Sequence, residues 1–497
     1  MHNSKKFVTL PLISCKYQEL TTLISCNFEV YKNFDFVMRR KIYDQLILWK
    51  NKRQGKSAMM IEGARRVGKS YIVKEFAQKE YKSYILIDFF KVGDDIKDLF
   101  KNCKDNLDML FTYLSTYFST KLYPRESIIV FDEIEFCPAA RAAVKYLVED
   151  GRFDYLETGS LLGMKMSTKK KRKKDEKNED YLVPSEEEKL VMHPMDFEEF
   201  LWTMGEETLM DFVRMKFTAK EPVGQSMHRK IMDYFRLYMI VGGMPQAILE
   251  YLDSKSFDDV DRVKRQILNL YNNCIDQYAG IHTPKVKAIY EAIPGQLQLH
   301  EHKFQLSDLN KDARFRDYDS SFYWLRDANM VNLAFNTTEP SIGLGLKQRD
   351  NSLKCYMNDT GLMISHAFDE RGIVSEQLYQ KILKDKLEVN AGMLMENIVA
   401  QMLVANGCKL FFYSNSSREN KEDRMEIDFL IAKSKITSRH NISPIEVKSS
   451  RGVTTVSLEK CVKKYATHLA QSYIVHTGDV EQAGHYLYIP LYMVPCL

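Results

Sequence analysis

One stretch of the chain has the residue types and spacing of a phosphate-binding loop. Residues 59–62 are predicted to form a mostly apolar strand and residues 71–77 an amphipathic helix, and between them stand Gly63, Ala64, Arg65, Arg66, Val67, Gly68, Lys69 and Ser70. This G-x-x-x-x-G-K-S pattern in a strand–loop–helix context predicts a nucleotide-binding P-loop, the Walker A motif. The two glycines let backbone N–H groups point at phosphate, and the helix start adds its dipole. We expect Lys69 to reach the β- and γ-phosphates of ATP and the Ser70 hydroxyl to bind Mg²⁺.

A second group of candidate residues follows a later apolar strand. Residues 128–131 are apolar and are followed by Asp132 and Glu133, at the strand end where open α/β sheets bind their ligands. We expect Asp132 to hold Mg²⁺, directly or through water, and Glu133 to orient and polarise the attacking water. The next predicted strand ends in Thr158 and Ser160. Either hydroxyl could sense the γ-phosphate, although an ordinary strand-to-loop transition explains them equally well.

The last third of the chain carries a third set of candidates. Asp428 and the pair Glu446-x-Lys448 lie on two predicted neighbouring strands, and alternate residues of a strand share one face. Asp428 and Glu446 could therefore meet around one Mg²⁺, with Glu396 from a preceding helix as a further ligand and Lys448 stabilising the attacking hydroxide or the phosphate. The alternative is a hairpin with surface charges, because E-x-K is common. The whole set favours a nuclease-type fold.

The elements that position these residues divide the chain into five predicted parts. With 497 residues, 45% of them hydrophobic, the chain can bury several cores. The predicted parts are a leader at 1–37, a P-loop α/β domain with a parallel sheet at 38–195, a helical lid-like region at 196–280, a winged helix at 281–365 and an α/β restriction-endonuclease-like domain at 366–497. The leader is either a flexible extension or sequence upstream of a start at Met38, and we expect the chain to fold and bind ATP without it.

Two segments are compatible with DNA as a partner, although neither requires it. Three helices and a hairpin within residues 283–357 suggest the winged helix, a module that binds DNA or packs against protein. Residues 169–174 are all Lys or Arg, within an insertion at 164–190. A nucleic-acid patch, an import signal and a solvated insertion are all open, and the mixed-sign continuation favours the last. The net charge of +4 gives no argument for nucleic acid from overall charge.

The cysteines and the hydropathy pattern predict a cytoplasmic location. Nine cysteines form no C-x-x-C pair and no Cys/His zinc spacing, which is typical of reduced thiols in the cytosol. No apolar run has the length of a bilayer span, so we expect no membrane partner.

Taken together, the motifs resemble a prokaryotic family that joins an AAA+-type P-loop ATPase domain to a C-terminal domain of the PD-(D/E)XK nuclease-like superfamily. The resemblance runs from about residue 38 to the end. Besides the residues above it rests on the segments Met195-Asp196-Phe197-Glu198-Glu199-Phe200, Gly242-Gly243-Met244-Pro245 and Tyr356-Met357-Asn358-Asp359-Thr360-Gly361-Leu362. It implies ATP binding and a parallel P-loop sheet followed by helical and winged-helix parts. It places no arginine finger, for which Arg141 and Arg152 are the candidates.

The sequence therefore predicts an ATP-binding protein, an Mg²⁺-dependent ATPase coupled to a nuclease-like DNA-processing domain. A second hypothesis is an ATP-switched DNA-binding or regulatory protein whose nuclease-like fold is a non-catalytic scaffold. A third is an interaction protein whose winged helix binds another protein. The predicted partners are ATP, Mg²⁺ and DNA, and assembly into an oligomer stays open.

Overall fold

The structure is a computed structural model. It describes residues 38–101, 106–159, 185–299, 303–341, 343–368, 376–384, 391–416, 422–432, 441–449 and 455–497. The leader at 1–37, Ser160 and the Lys/Arg run of the insertion lie outside these ranges.

A five-stranded parallel sheet forms the core of the first part. Its strands are β1 (Ala58–Glu62), β2 (Ser83–Asp88), β3 (Ser127–Asp132), β4 (Asp154–Thr158) and β5 (Glu187–Val191). The spatial order is β2-β3-β4-β1-β5, with every neighbouring pair parallel. Because β4 lies between β1 and β3, the ends of the strands that carry the P-loop, Thr158 and Asp132 meet along one edge of the sheet.

Among the described residues, five helices accompany this sheet. They are α1 (Lys41–Arg53), α2 (Lys69–Glu80), α3 (Asp94–Leu99), α4 (Leu107–Tyr117) and α5 (Pro138–Asp150). Strand β3 is buried along its whole length, and a continuous apolar core packs against one face of the sheet. Such burial on both faces is typical of parallel strands between helical layers.

Helices dominate the next part. They are α6 (Phe197–Thr203), α7 (Leu209–Ala219), α8 (Gln225–Val241), α9 (Pro245–Ser254) and α10 (Phe257–Tyr278). Asp196 is the N-cap of α6 and forms a reciprocal capping box with Glu199, which stabilises a helix start. The predicted break at Gly242 separates α8 from α9, because this glycine has a φ of 84° and Pro245 begins the next helix.

A second, eight-stranded sheet contains both the predicted wing and the C-terminal strands. Its strands are β6 (Val331–Thr337), β7 (Gln348–Met357), β8 (Phe411–Asn415), β9 (Met425–Ala432), β10 (Ile442–Val447), β11 (Ser472–His476), β12 (Glu481–Ala483) and β13 (Tyr486–Pro490). Their order is β12-β13-β11-β10-β9-β8-β6-β7. The β6–β7 hairpin pairs with β8, so this sheet crosses the predicted boundary between residues 365 and 366. The other predicted boundaries stay predictions.

Helices also surround this second sheet in the described part of the chain. They are α11 (Thr283–Gln298), α12 (Asp319–Asp327), α13 (Thr360–Ala367), α14 (Glu376–Leu383), α15 (Ala391–Ala405) and α16 (Val456–Tyr465). The predicted second helix of the winged helix is a single 3₁₀ turn, Leu306–Asp308. The expected three-helix arrangement is therefore incomplete. The predicted helix at 306–309 has only four residues, too few to form a stable α-helix.

None of the helices in the described part of the chain combines the length and the apolar composition of a membrane span.

Candidate functional site

The loop between β1 and α2 has the backbone that its glycines predict. Gly63 has a φ of 154° and Gly68 a φ of 100°, a region that side chains disfavour. A Cβ at position 63 would stand 2.3 Å from the carbonyl oxygen of Met192, so the close approach of the loop to residue 192 also requires glycine. The loop leads directly into α2, which begins at Lys69. Its N–H groups and helix dipole are thereby available to an anion.

Lys69 lies at the centre of this loop. Its Nζ donates to the carbonyl oxygens of Gly63 and Ala64, each at 3.0 Å, and the residue is 7% exposed. Burial lowers the pKa of Lys69, while the carboxylates of Glu133, Glu135 and Asp132 oppose that shift. The ammonium is therefore held in a largely desolvated position, where its attraction for phosphate is strong.

Ser70, Asp132 and Thr158 are joined by hydrogen bonds along the edge of the sheet. The Ser70 hydroxyl donates to Asp132 Oδ1 at 3.0 Å, and Thr158 Oγ1 donates to the same oxygen. Thr158 Oγ1 also accepts the backbone N–H of Glu133 at 3.1 Å. A hydroxyl and a carboxylate are the oxygen donors that Mg²⁺ prefers, so Ser70 and Asp132 fit the predicted metal position beside the phosphates.

Glu133 stands at the turn after β3. Its φ of 53° is left-handed, and the turn Ile134–Phe136 follows at once. Burial raises the pKa of Glu133 to about 7, with the Glu135 carboxylate as the next cause and Lys69 opposing it. A non-glycine residue in this conformation is held by its surroundings, and here the bond from its N–H to Thr158 contributes.

Two residues that sequence reasoning missed hold the carbonyl groups of the loop. Arg40 donates from Nη1 to the Val67 oxygen at 2.8 Å, and its Nε lies 3.1 Å from Glu199 Oε2. The Tyr271 hydroxyl, from α10, donates to the Arg65 oxygen at 3.3 Å. The basic run at residues 39–41 gave a signal for Arg40, but nothing local distinguishes Tyr271 from the other tyrosines of the helices.

Both candidates for an arginine finger take part in ion pairs. Arg141 is buried and pairs with Glu187 at 2.8 Å and with Glu157 at 3.7 Å. Arg152 pairs with Asp150 and with Asp108, beside the start of β4 and away from the edge that carries Thr158. Both guanidinium groups form ion pairs within this chain, and the position of an arginine finger stays open.

The D…E-x-K residues of the C-terminal part come together only in pairs. Strands β9 and β10 are antiparallel with Phe429 opposite Ile445, a register that sets Asp428 opposite Glu446 on one face, as the alternation predicts. Lys448 Nζ pairs with Glu446 Oε1. Burial raises the pKa of Glu446 to about 7, and the Asp428 carboxylate raises it further.

The expected convergence of Glu396, Asp428 and Glu446 on one metal ion stays a prediction, and the structure places a lysine beside two of these carboxylates. Lys354 Nζ is 2.9 Å from Glu396 Oε1 and 3.7 Å from Asp428 Oδ1, and it also contacts Glu426 at 3.3 Å. Asp428 Oδ2 accepts the N–H of residue 447 at 2.8 Å. Within the described ranges, no group of three or more His, Cys, Asp or Glu side chains is arranged to hold a metal. The donor set does not fit the predicted three-ligand metal centre.

Three family models match separate parts of the chain. An AAA domain matches residues 55–201, a domain of unknown function (DUF8612) residues 232–371, and a domain of unknown function (DUF4143) residues 391–494. A search of curated proteins found no match. The AAA match spans the loop, Asp132 and Thr158, so this part of the chain is a P-loop ATPase-type domain with the parallel sheet that such domains have. The C-terminal match specifies no nuclease.

Two similar solved structures are both ATPases of Pyrococcus species. A Walker-type ATPase of Pyrococcus abyssi is 14% identical, covers 66% of this chain and 96% of its own, and has a TM-score of 0.38. A signal transduction ATPase with numerous domains (STAND) and a tetratricopeptide repeat sensor, from Pyrococcus horikoshii, is 10% identical, with coverages of 75% and 50% and a TM-score of 0.23.

Proposed function

We propose that the protein is an Mg²⁺-dependent ATPase whose reaction takes place at the edge of the five-stranded sheet. The observation that carries the proposal is the hydrogen-bonded set Ser70–Asp132–Thr158–Glu133 beside the buried ammonium of Lys69. These groups come from the ends of β3 and β4 and from the start of α2, which follows β1. Their meeting at one edge supplies a phosphate-binding loop, oxygen donors for a metal and a carboxylate for water activation in one place.

Each group has a stated task in this proposal. Loop N–H groups and Lys69 bind the β- and γ-phosphates, and Ser70 and Asp132 would hold Mg²⁺, which neutralises charge developing on the phosphate oxygens. Glu133 orients and polarises the attacking water. Thr158 fixes the orientation of the Asp132 carboxylate and of the Glu133 backbone, and it is the proposed sensor of the γ-phosphate.

Substitution of the loop lysine tests the proposal. We expect Lys69→Ala to abolish Mg²⁺-dependent ATP hydrolysis, because it removes the positive charge that stabilises the transferred phosphoryl group. The matched control is Lys74→Ala, an exposed lysine in the same helix, which should keep the wild-type rate. Wild-type hydrolysis by Lys69→Ala would refute the assignment.

Tyr271 connects the P-loop to the residue after β7 through two hydrogen bonds. Its hydroxyl donates to the Arg65 oxygen of the loop and accepts from Asn358 Nδ2 at 3.5 Å. Asn358 follows β7 directly, and β7 carries Lys354 into the C-terminal carboxylates. We propose that a loop rearrangement on ATP binding moves β7 through this contact.

For the C-terminal part we propose the scaffold hypothesis over the catalytic one, with DNA and other protein chains as its candidate partners. The specific observation is that both oxygens of Asp428 are engaged, one near Lys354 and one by the N–H of residue 447. Purified protein with Mg²⁺ or Mn²⁺ should leave plasmid and linear DNA intact, with and without ATP. Cleavage that disappears in both Asp428→Asn and Lys448→Ala, with ATP hydrolysis unchanged, would establish the nuclease instead.

A further inference from the structure

We infer that Lys354 is a built-in cation. Its ammonium group takes the place of the metal ion that the resemblance predicts beside Glu396 and Asp428. The site is then a metal-independent structural centre. This inference does not depend on ATP hydrolysis, so its failure and that of the proposed ATPase are distinguishable.

The ammonium group contacts three carboxylates from two separate elements. Glu396 comes from α15, whereas Glu426 and Asp428 come from the same face of β9. All three carboxylate oxygens lie within 2.9–3.7 Å of Nζ. Carboxylates from separate elements around one centre are the usual arrangement of a hard-cation site, and here the cation is part of the chain.

Burial makes the role of this lysine specific. Its side chain is 0% exposed, and a buried ammonium is stable only when it is paired and hydrogen-bonded. The neighbouring Tyr356 hydroxyl also donates to Glu396 Oε1, so that oxygen already accepts two donors. A divalent cation entering this cluster would meet a positive charge at contact distance and would have to displace both donors.

The lysine comes from a part of the chain outside the segment that supplies the carboxylates. Lys354 lies on β7, at the edge of the eight-stranded sheet and within residues 232–371, whereas Glu396, Glu426 and Asp428 lie within residues 391–494. The ion-pair cluster therefore fastens the β6–β7 hairpin to the C-terminal part. A metal ion bound by the C-terminal segment alone could not do this.

Manganese binding to the full-length chain tests the inference. Every protein carries Asp132→Asn, so that the P-loop does not contribute, and Mn²⁺ binding is measured by titration calorimetry without nucleotide. We expect no Mn²⁺ site that depends on Asp428 in this background. Lys354→Met should create one site, which binds Mn²⁺ at least about tenfold more tightly than any residual binding to the background protein, and adding Asp428→Asn should remove it. Lys347→Met, at a half-exposed lysine of the same hairpin, should create none.

Two results would overturn the inference. One is Mn²⁺ binding in the Asp132→Asn background that Asp428→Asn abolishes, because the lysine would then not exclude a metal. The other is a folded Lys354→Met protein that binds no more Mn²⁺ than its background. If Lys354→Met does not fold, the first comparison decides without it, together with the melting temperature of the wild-type chain, which EDTA should leave unchanged.

Discussion

The hydroxyl of Thr158 offers a single-atom test of the nucleotide site. Thr158→Val keeps the shape of the side chain and removes the oxygen that donates to Asp132 and accepts from the N–H of Glu133. The residue is fully buried, so water cannot replace the lost partner without rearrangement. We expect a loss of both turnover and stability, with ATP binding retained.

The two bonds give the expected magnitudes. A hydrogen bond to a charged group contributes about 1.5–3 kcal/mol, and each 1.36 kcal/mol of transition-state stabilisation is about tenfold in rate. If the Asp132 bond acts fully in the transition state, kcat falls by about 10- to 100-fold. The Glu133 N–H left without an acceptor lowers the free energy of unfolding by about 1–3 kcal/mol.

Steady-state ATP hydrolysis and denaturant unfolding measure the two effects. The matched control is Thr203→Val, a buried threonine whose hydroxyl donates to the Glu199 carbonyl oxygen at 2.9 Å, away from the loop. It should keep its kcat and, because its bond joins two neutral groups, lose less stability than Thr158→Val. If Thr158→Val loses stability as expected and keeps the wild-type kcat, Thr158 has a structural role only and the reasoning fails.

Two further predictions follow from buried groups. Burial and the Glu187 carboxylate raise the pKa of Glu157 from 4.5 to about 8, so the folded state holds this proton more tightly than the unfolded state. The resulting stability is complete below the unfolded pKa and is lost as pH rises through about 8. The melting temperature of Glu157→Gln relative to wild type should therefore be higher at pH 8 than at pH 5, and an equal difference at both would contradict this. Tyr271→Phe removes the hydroxyl between Arg65 and Asn358. ATP hydrolysis should persist, but bound nucleotide should no longer slow the hydrogen exchange of β7 amides. Slowing equal to that in the wild type would contradict the proposed contact.

Local patterns predict the strands of the first sheet well. Apolar runs, and the glycine or polar residues that end them, are enough to locate the P-loop, the strand before Asp132 and the strand ending at Thr158. The strand order is not local. That β4 lies between β1 and β3 depends on how helices pack on both faces, and the contact of Thr158 with Asp132 follows only from that order.

The C-terminal site shows where local reasoning fails. The register of Asp428 opposite Glu446 follows from strand alternation and is as expected. Lys354 could not be assigned to the same cluster, because it lies on a hairpin that reads as part of a winged helix. The joining of that hairpin to β8 is a long-range pairing, and it changes a predicted metal site into an ion-pair cluster.

The most direct test of the ATPase account is the behaviour of Glu133→Gln with Mg²⁺ and ATP. The substitution keeps the size of the side chain and removes the carboxylate that orients the attacking water. We predict ATP binding close to that of the wild type, measured by titration with a fluorescent ATP analogue, and hydrolysis slowed by about 100-fold or more. Hydrolysis by Glu133→Gln at the wild-type rate would contradict the account.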